Sequence, residues 1–475
     1  MKILIAGPED DNNFAYTHLI KVAKSLEEKG NQVCFALPHT YYPKAAGVDL
    51  SCFRVYAYNQ WTEKKIITNI VDNLSVFSYP GYFKLICWNT KKELRNYKRH
   101  LENHLILKLI NFFSDLIEKE NIDFIMYENV SDLFLFAAYY AAKLKNIIYI
   151  GWIISRIPKR YELWTDPYGN IDERRKLFQS IIFENINEVE INSINKYIAE
   201  LFSLKPDYMK SCPSNININY LKYYFNNLDK ILVKLNAMIT TKTIDAYSIR
   251  YPMRKQWRII CYKLKRKIKI YKLTKYFASI DLNESFFLFP LHYQPESSIS
   301  VNAAYYCNQA EVVKNIAFSL PQGTKLYVKD HPNGMGFMAL HQYYTIFSLP
   351  NVKYIPPDTD NKILLRNCIG VITLTSTMGY EALLLGKGVI TLGNVFYNYH
   401  PHCFHASGYE ELYKAIRFLI KEKDTDFTKE NIRFVKSYMD TTFTGSLFAI
   451  DDESIDNLTS NILSFAKANI LNYES

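Results

Sequence analysis

Apolar residues along this chain fall into two alternating patterns. Short unbroken runs of four to seven residues, ended by glycine, proline or charge, read as strands buried on both faces. Between them lie stretches in which apolar positions recur every three or four residues, the period of a helix packed on one side. In the first part this predicts a strand at 2–6, a helix over about 14–29 stopped by Gly30, and a strand at 32–37 ending at Pro38. A long helical stretch at about 91–119 then precedes a strand at 122–128, a helix near 131–144 and a strand in NIIYIGW. Strands alternating with helices predict parallel βαβ units.

From about 170 to 275 the pattern turns polar and mainly helical, with breaks at Pro206 and Pro213. A second alternating region starts near Ser285, with strands at 286–291, 325–330, 352–355, 370–375 and 388–393. Asn308 to Glu311 has capping-box spacing ahead of a helix reaching about Leu320, and a helix over about 409–421 with helical C-terminal segments completes the chain. The expected organisation is α/β: a domain at 1–169, a helical elaboration and basic linker at 170–284, and a second α/β domain at 285–425. Helices at 426–475 are expected to pack back toward the first domain. Two such Rossmann-like domains would face a central cleft, with a ligand at the carboxyl ends of their strands.

Composition narrows the class. A chain of 475 residues is too long for one ordinary core, and 48% hydrophobic with 22% charged residues is the make-up of a globular protein. The apolar run after Lys2 ends at Gly7, which suits a first strand and is too short for an export signal. No run is long enough to cross a bilayer, and eight cysteines without CxxC spacing indicate neither a zinc knuckle nor a disulfide framework. A cytoplasmic location is expected. The net charge of +10 is concentrated: Arg250 to Lys275 holds eleven Lys or Arg and no acid, so the remainder sums to about −1. That balance argues against a nucleic-acid binder. The segment, threaded with Trp257, Ile268 and Tyr271, suits either a helix packed on its own domain or contact with an anionic membrane or other polyanion.

Candidate chemistry sits at predicted strand ends. In TSTMGYE, Ser376, Thr377 and backbone N–H groups near Gly379 form a strand-to-helix turn able to hold a phosphate, with Glu381 in the first turn beside a sugar hydroxyl; a simple helix cap has the same sequence. In YVKDHPN, Pro332 restrains the backbone, and His331 can donate to a phosphate or balance its charge as imidazolium, with Lys329 adding positive potential. His292, Gln294 and Glu296 follow another strand and either contact the same ligand or brace the loop, with Ser297 and Ser298 as caps. Glu128 ends a first-domain strand and is a candidate base, with Glu9, Asp10 and Asp11 as competitors and helix capping as its other reading. Arg156 and Arg160 suit an anionic acceptor or surface ion pairs, and His400, His402, Cys403 and His405 read as a loop in preference to a metal site. The absence of G-x-G-x-x-G after Ile5 and of a P-loop lowers dinucleotide oxidoreductases and P-loop NTPases.

LFPLHYQPE, LYVKDHP and TSTMGYEALLLGKGVITLG, in this order, resemble the capsule polysaccharide biosynthesis family over about residues 286–395. That family includes bacterial transferases using CMP-activated sugar acids. The resemblance implies a glycosyltransferase B type architecture and a nucleotide-sugar donor, CMP favoured over UDP or GDP, held by the C-terminal domain. It implies no metal or other cofactor, a glycan or glycolipid acceptor, and work within a polysaccharide assembly complex. His331 with Pro332 matches the family's phosphate-contacting His-Pro, and Ser376, Thr377 and Glu381 match its donor-side motif. The Glu-Asp-Gly segment carrying the catalytic aspartate in better-known members is absent, and YENVSD and GWIISR stand in the plausible stretches. A nucleotide-sugar epimerase and a non-catalytic glycan-binding scaffold are the competing readings.

Overall fold

The computed structural model describes residues 1–9, 11–62, 99–201, 265–294, 296–421 and 425–474. Asp10, most of the expected helical elaboration and the first part of the basic segment lie outside the described residues. Among those described, 1–167 with 442–474 form one compact unit, and 168–201 with 265–441 form the other.

The first unit is a sheet of β1 (Lys2–Ala6), β2 (Gln32–Leu37), β3 (Arg54–Ala57), β4 (Phe124–Glu128), β5 (Ile148–Ile154) and β6 (Arg160–Trp164), ordered 3-2-1-4-5-6 with a final strand, Phe443–Thr444, on the outer edge of β6. The first five strands are parallel, while β6 and the last strand run antiparallel to their neighbours. Helices shield the central strands, which explains their unbroken apolar runs. Helix Leu133–Leu144 is mostly buried and starts on Asp132, whose carboxylate accepts from the Leu135 N–H at 2.8 Å. Helix Asp452–Glu474 docks on helix Asn13–Glu28 through a buried Ser25–Thr459 hydroxyl pair 2.9 Å apart and a Lys29–Asp456 ion pair.

The second unit is an all-parallel sheet of β7 (Phe286–Pro290), β8 (Lys325–Lys329), β9 (Val352–Ile355), β10 (Gly370–Thr373), β11 (Gly388–Thr391) and β12 (Cys403–His405). Its order, 9-8-7-10-11-12, repeats the Rossmann sequence of the first unit, with the switch point between β7 and β10. β10 and β11 start on Gly370 and Gly388, paired in register. A Cβ on Gly388 would lie 2.4 Å from Leu419 Cδ2, so a bare backbone there lets helix Tyr409–Lys421 close on the sheet.

The α/β class with two Rossmann-like units, as in glycosyltransferase B type chains, is present. The unit boundaries differ from those expected. Helices Ile171–Ser180 and Glu188–Glu200 belong to the second unit, where Arg433 donates to the Ile181 and Phe178 carbonyls and the Tyr197 and Tyr380 hydroxyls meet at 2.8 Å. Helix Thr428–Asp440, which carries Arg433, therefore packs in the second unit, and only the residues from Thr442 return to the first. The capping box expected at Asn308 does not form: its carboxamide oxygen accepts instead from Gln342 Nε2 at 3.1 Å.

Arg160 secures the returning segment, its Nε donating to Thr442 Oγ1 at 2.6 Å and its Nη2 to the Thr442 carbonyl at 2.9 Å. Arg160→Ala should lower the stability of the first unit by about 1–3 kcal/mol in urea unfolding. It should also speed hydrogen exchange at Gly445, whose N–H donates to Lys159 O beside this clamp.

Candidate functional site

The carboxyl edge of the second sheet gathers three exits: Leu291–Glu296 after β7, Asp330–Gly336 after β8, and Leu374–Gly379 after β10. β7 lies between β8 and β10, so the outer two exits leave the sheet about 10 Å apart, two strand spacings.

His292 bridges the switch point. Its Nε2 accepts from the Thr375 N–H at 3.1 Å and lies 3.3 Å from Thr373 Oγ1, which itself accepts from the Ser376 N–H. The ring therefore carries its proton on Nδ1. Burial pushes its pKa down to about 3, so it stays neutral. Gln309 grips the same residue, accepting from the His292 N–H and donating to its carbonyl. The bracing alternative describes the other polar groups of this exit as well: Gln294 donates to the Cys307 carbonyl, and Glu296 accepts from Ser298 Oγ. Ser298 in turn offers its carbonyl to Thr375 Oγ1.

At the end of β8, Lys329 is only 5% exposed, and Asp330, just beyond it, is buried. Among the described residues, no carboxylate lies within ion-pairing distance of Lys329 Nζ. Burial pushes its pKa down to about 8, against the more distant fields of Asp358, Asp330 and Asp360. Asp330 turns the other way, accepting from Tyr343 Oη at 2.8 Å and Tyr354 Oη at 3.0 Å, while Tyr343 Oη accepts from the Gly336 N–H. Burial pushes Asp330 up to about 6. His331 Nδ1 accepts from the Asn333 N–H at 3.1 Å, which leaves the proton on Nε2. Burial and the charge of Lys329 lower its pKa, so the neutral donor is favoured over the imidazolium considered from sequence.

After β10, Ser376 is the N-cap of helix Thr377–Leu384, its Oγ accepting from the Met378 N–H at 3.2 Å. Gly379 needs a different explanation from the one its sequence suggested. Its N–H is spent on the Ser376 carbonyl, and an added Cβ would stand 2.3 Å from Tyr397 Oη. Tyr397 fills that gap to donate to Ser376 O at 2.5 Å. The donors left at the helix start belong to Thr377: its N–H at the first helical position and a half-buried hydroxyl with no partner among the described residues. Glu381 opens the second helical turn, not the first, on the same face as Thr377.

The first unit also groups polar residues at its switch point. Glu128 ends β4, and Asp132 follows it as the buried helix cap, so capping does not account for Glu128. Burial, with the charges of Glu9 and Glu128, raises the Asp132 pKa well above the ordinary carboxyl range. Asp11 lies in the exit after β1, half-buried. Arg160 is occupied by Thr442, as above. His400 meets Asn431, His402 stacks on Phe427 at 3.5 Å, and His405 faces Thr391 and Asn398. Among the described residues, no group of three His, Cys, Asp or Glu is arranged to hold a metal. None of their helices is long and apolar enough to cross a membrane.

Comparison with known proteins places this edge in context. The family described as Capsule polysaccharide biosynthesis protein matches residues 208–401, which includes all three exits. Protein FixF of Sinorhizobium fredii is 26% identical over 169 residues, 34% of this chain and 40% of its own length. The chain thus spans less than half of that curated relative. Among solved structures, the UDP-GlcNAc 2-epimerase of Methanocaldococcus jannaschii is 12% identical with a TM-score of 0.27, covering 98% of this chain and 99% of its own. The KpsC β-Kdo 2,7 transferase of Thermosulfurimonas dismutans is 13% identical with a TM-score of 0.36, covering 76% and 97%.

Sequence reasoning missed Asp330, Gln309, Tyr397 and Asn333 as organisers of the edge. Asp330 alone carried a signal, a carboxylate between strand and His-Pro.

Gly379→Ala should cost about 1–3 kcal/mol through overpacking against Tyr397, and Tyr397→Phe on that background should recover part of it in thermal unfolding. Asp330 titrates higher folded than its ordinary value of 3.8. Its stabilising contribution is therefore full below about pH 3.8 and lost as pH rises through about 6. Asp330→Asn should flatten that part of the stability profile, measured by urea unfolding from pH 4 to about 7.

Proposed function

We propose that the chain is an enzyme that processes a nucleotide sugar and takes the donor's phosphate at the carboxyl edge of the second sheet. The observation that carries this reading is the buried Lys329, an ammonium without an ion-pair partner among the described residues, adjoining the His331 exit. A buried cation is costly unless an anion meets it. His331 Nε2–H and the Thr377 N–H and hydroxyl are the neutral donors that would share the phosphate, while Ser376 and Pro332 hold their backbones. Glu381 would take a sugar hydroxyl. His292, Gln294 and Glu296 keep the exits in place.

Such an edge stabilises charge on a departing phosphate by fixed donors and a helix start, as the bond from the anomeric carbon to the phosphate oxygen breaks. That chemistry serves both finer activities. An epimerase acts on the free nucleotide sugar. A glycosyltransferase, with a CMP-sugar favoured, also requires an acceptor hydroxyl, from a bacterial surface glycan or glycolipid, and a base to deprotonate it. Glu128 is the proposed base, with Asp11 and Asp10 next. The proposal includes a cytoplasmic setting, contact of the 250–275 segment with an anionic membrane, and work beside a polysaccharide assembly complex.

The test is a titration of the purified protein with CMP, UDP and GDP, followed by product analysis of the matching nucleotide sugars with and without a glycan acceptor. Lys329→Met and His331→Ala should each weaken nucleotide binding by about 10–100-fold, the worth of a hydrogen bond to a charged group. Wild-type affinity should fall as pH rises through about 8, where Lys329 gives up its proton. Unchanged affinity in both variants overturns the phosphate site. Turnover without acceptor identifies an epimerase, acceptor-dependent release of nucleotide a transferase, and glycan affinity without turnover a scaffold. If transfer is seen, Glu128→Gln should bind donor normally and lose it, whereas full activity moves the base to Asp11 or Asp10.

A further inference from the structure

The described end of the basic segment, helical residues 265–273, does not stand off the surface. Leu273 is fully buried and Ile270 packs on the second unit's core. On the same side, Arg266 Nη2 donates to the Asn333 carbonyl at 2.7 Å and its Nε to the Met335 carbonyl at 2.8 Å. Lys269 Nζ donates to the Met338 carbonyl at 3.0 Å. The guanidinium also lies 4.3 Å over the Phe337 ring, which packs edge-on against Tyr293, next to the His331 ring. The turn can come this close only as glycine. Gly336 has φ +80°, and a Cβ there would lie 3.2 Å from Arg266 Cγ and Ile270 Cγ1.

We infer that Arg266 is a positioning residue for His331, acting through Asn333. The residue whose carbonyl receives the Arg266 Nη2 proton is the one whose N–H donates to His331 Nδ1. Gripping Asn333 and Met335 together fixes the turn begun by the Gly334 and Met335 N–H groups on the His331 carbonyl. With the Asn333 N–H held on Nδ1, the imidazole proton is committed to Nε2, the atom available to a ligand. Tyr343 Oη accepts from the Gly336 N–H and donates to Asp330, which ties the end of the turn back to the residue before His331. The planar fork matters because two carbonyls two residues apart are reached by one side chain. A lysine ammonium at the same position keeps the charge without that geometry.

The functional consequence rests on the donor site proposed above, so the test separates the two. In the full chain labelled with 15N-histidine, His331 should show an unprotonated Nδ1 and a protonated Nε2, assigned by loss of the signal in His331→Gln. Arg266→Gln should mix the tautomers and weaken binding of whichever of CMP, UDP or GDP the wild type takes by about tenfold, equivalent to about 1.4 kcal/mol. Arg266→Lys should recover only a minor part. On a His331→Ala background, Arg266→Gln should cost less than about twofold more, the non-additivity expected of groups acting through one another. An unchanged tautomer, an equal loss in both backgrounds, or full rescue by lysine overturns the inference. If no probe binds the wild type, the donor-site reading fails, and the tautomer measurement alone decides the role of Arg266. Should Arg266→Gln fail to fold, Phe337→Leu, which removes the ring beneath the guanidinium, should shift the tautomer in the same direction; no shift there also overturns it.

Discussion

A neutral imidazole ties two exits of the second sheet together across its switch point. In a Rossmann order the central strand and the one beyond the switch point send their connections to opposite faces, and the crevice opens because the loops diverge. His292 leaves β7 and crosses to the Thr375 amide at the exit of β10. The bridge works only with an unprotonated Nε2, and burial guarantees this at any physiological pH. Were the ring charged, it would present an N–H to an N–H, and the turn containing Ser376 and Thr377 would lose one of its supports, leaving those from Thr373, Ser298 and Tyr397. The placement of the proposed Thr377 donors thus depends in part on a histidine that need touch no ligand.

The two units share a strand order and differ in the charge at their carboxyl edges. The first groups carboxylates, with the charges of Glu9 and Glu128 and its own burial raising the pKa of Asp132. The second carries a buried ammonium, neutral imidazoles and hydroxyls. Burial acts on both edges in the same sense, raising the Asp132 pKa in the first and lowering the Lys329 pKa in the second.

The strands were legible because parallel strands covered on both faces are continuous apolar runs, as in FFLFP of β7 and GVIT of β10 and β11. His331 and Ser376–Thr377 were legible because polar residues directly after such runs fall at a sheet edge. The hidden features depend on partners far along the chain. The reason for Gly379 is Tyr397, and the partners of Arg266 come 67 and 69 residues later, so no local pattern reveals either. Asn308 shows the converse failure: its spacing satisfied a capping rule, but Gln342, brought in by the neighbouring helix, took its oxygen. At the described end of the basic segment, the alternative of a helix packed on its own domain is the one observed. The arginine and lysine counted toward a surface patch at 266 and 269 are consumed by backbone carbonyls, and a tally of charges cannot distinguish a solvated cation from one used as a rivet.

β10 and β11 consist of the same four residues, Gly-Val-Ile-Thr, each followed by leucine, and lie side by side in register. Both threonines are buried and both hydroxyls turn toward the exits, one to the Ser376 amide and the other to the Asn398 side chain. The duplicated strands are interchangeable parts; what distinguishes them is the handful of residues that each releases beyond the sheet. Two identical words thus acquire different partners from what ends them.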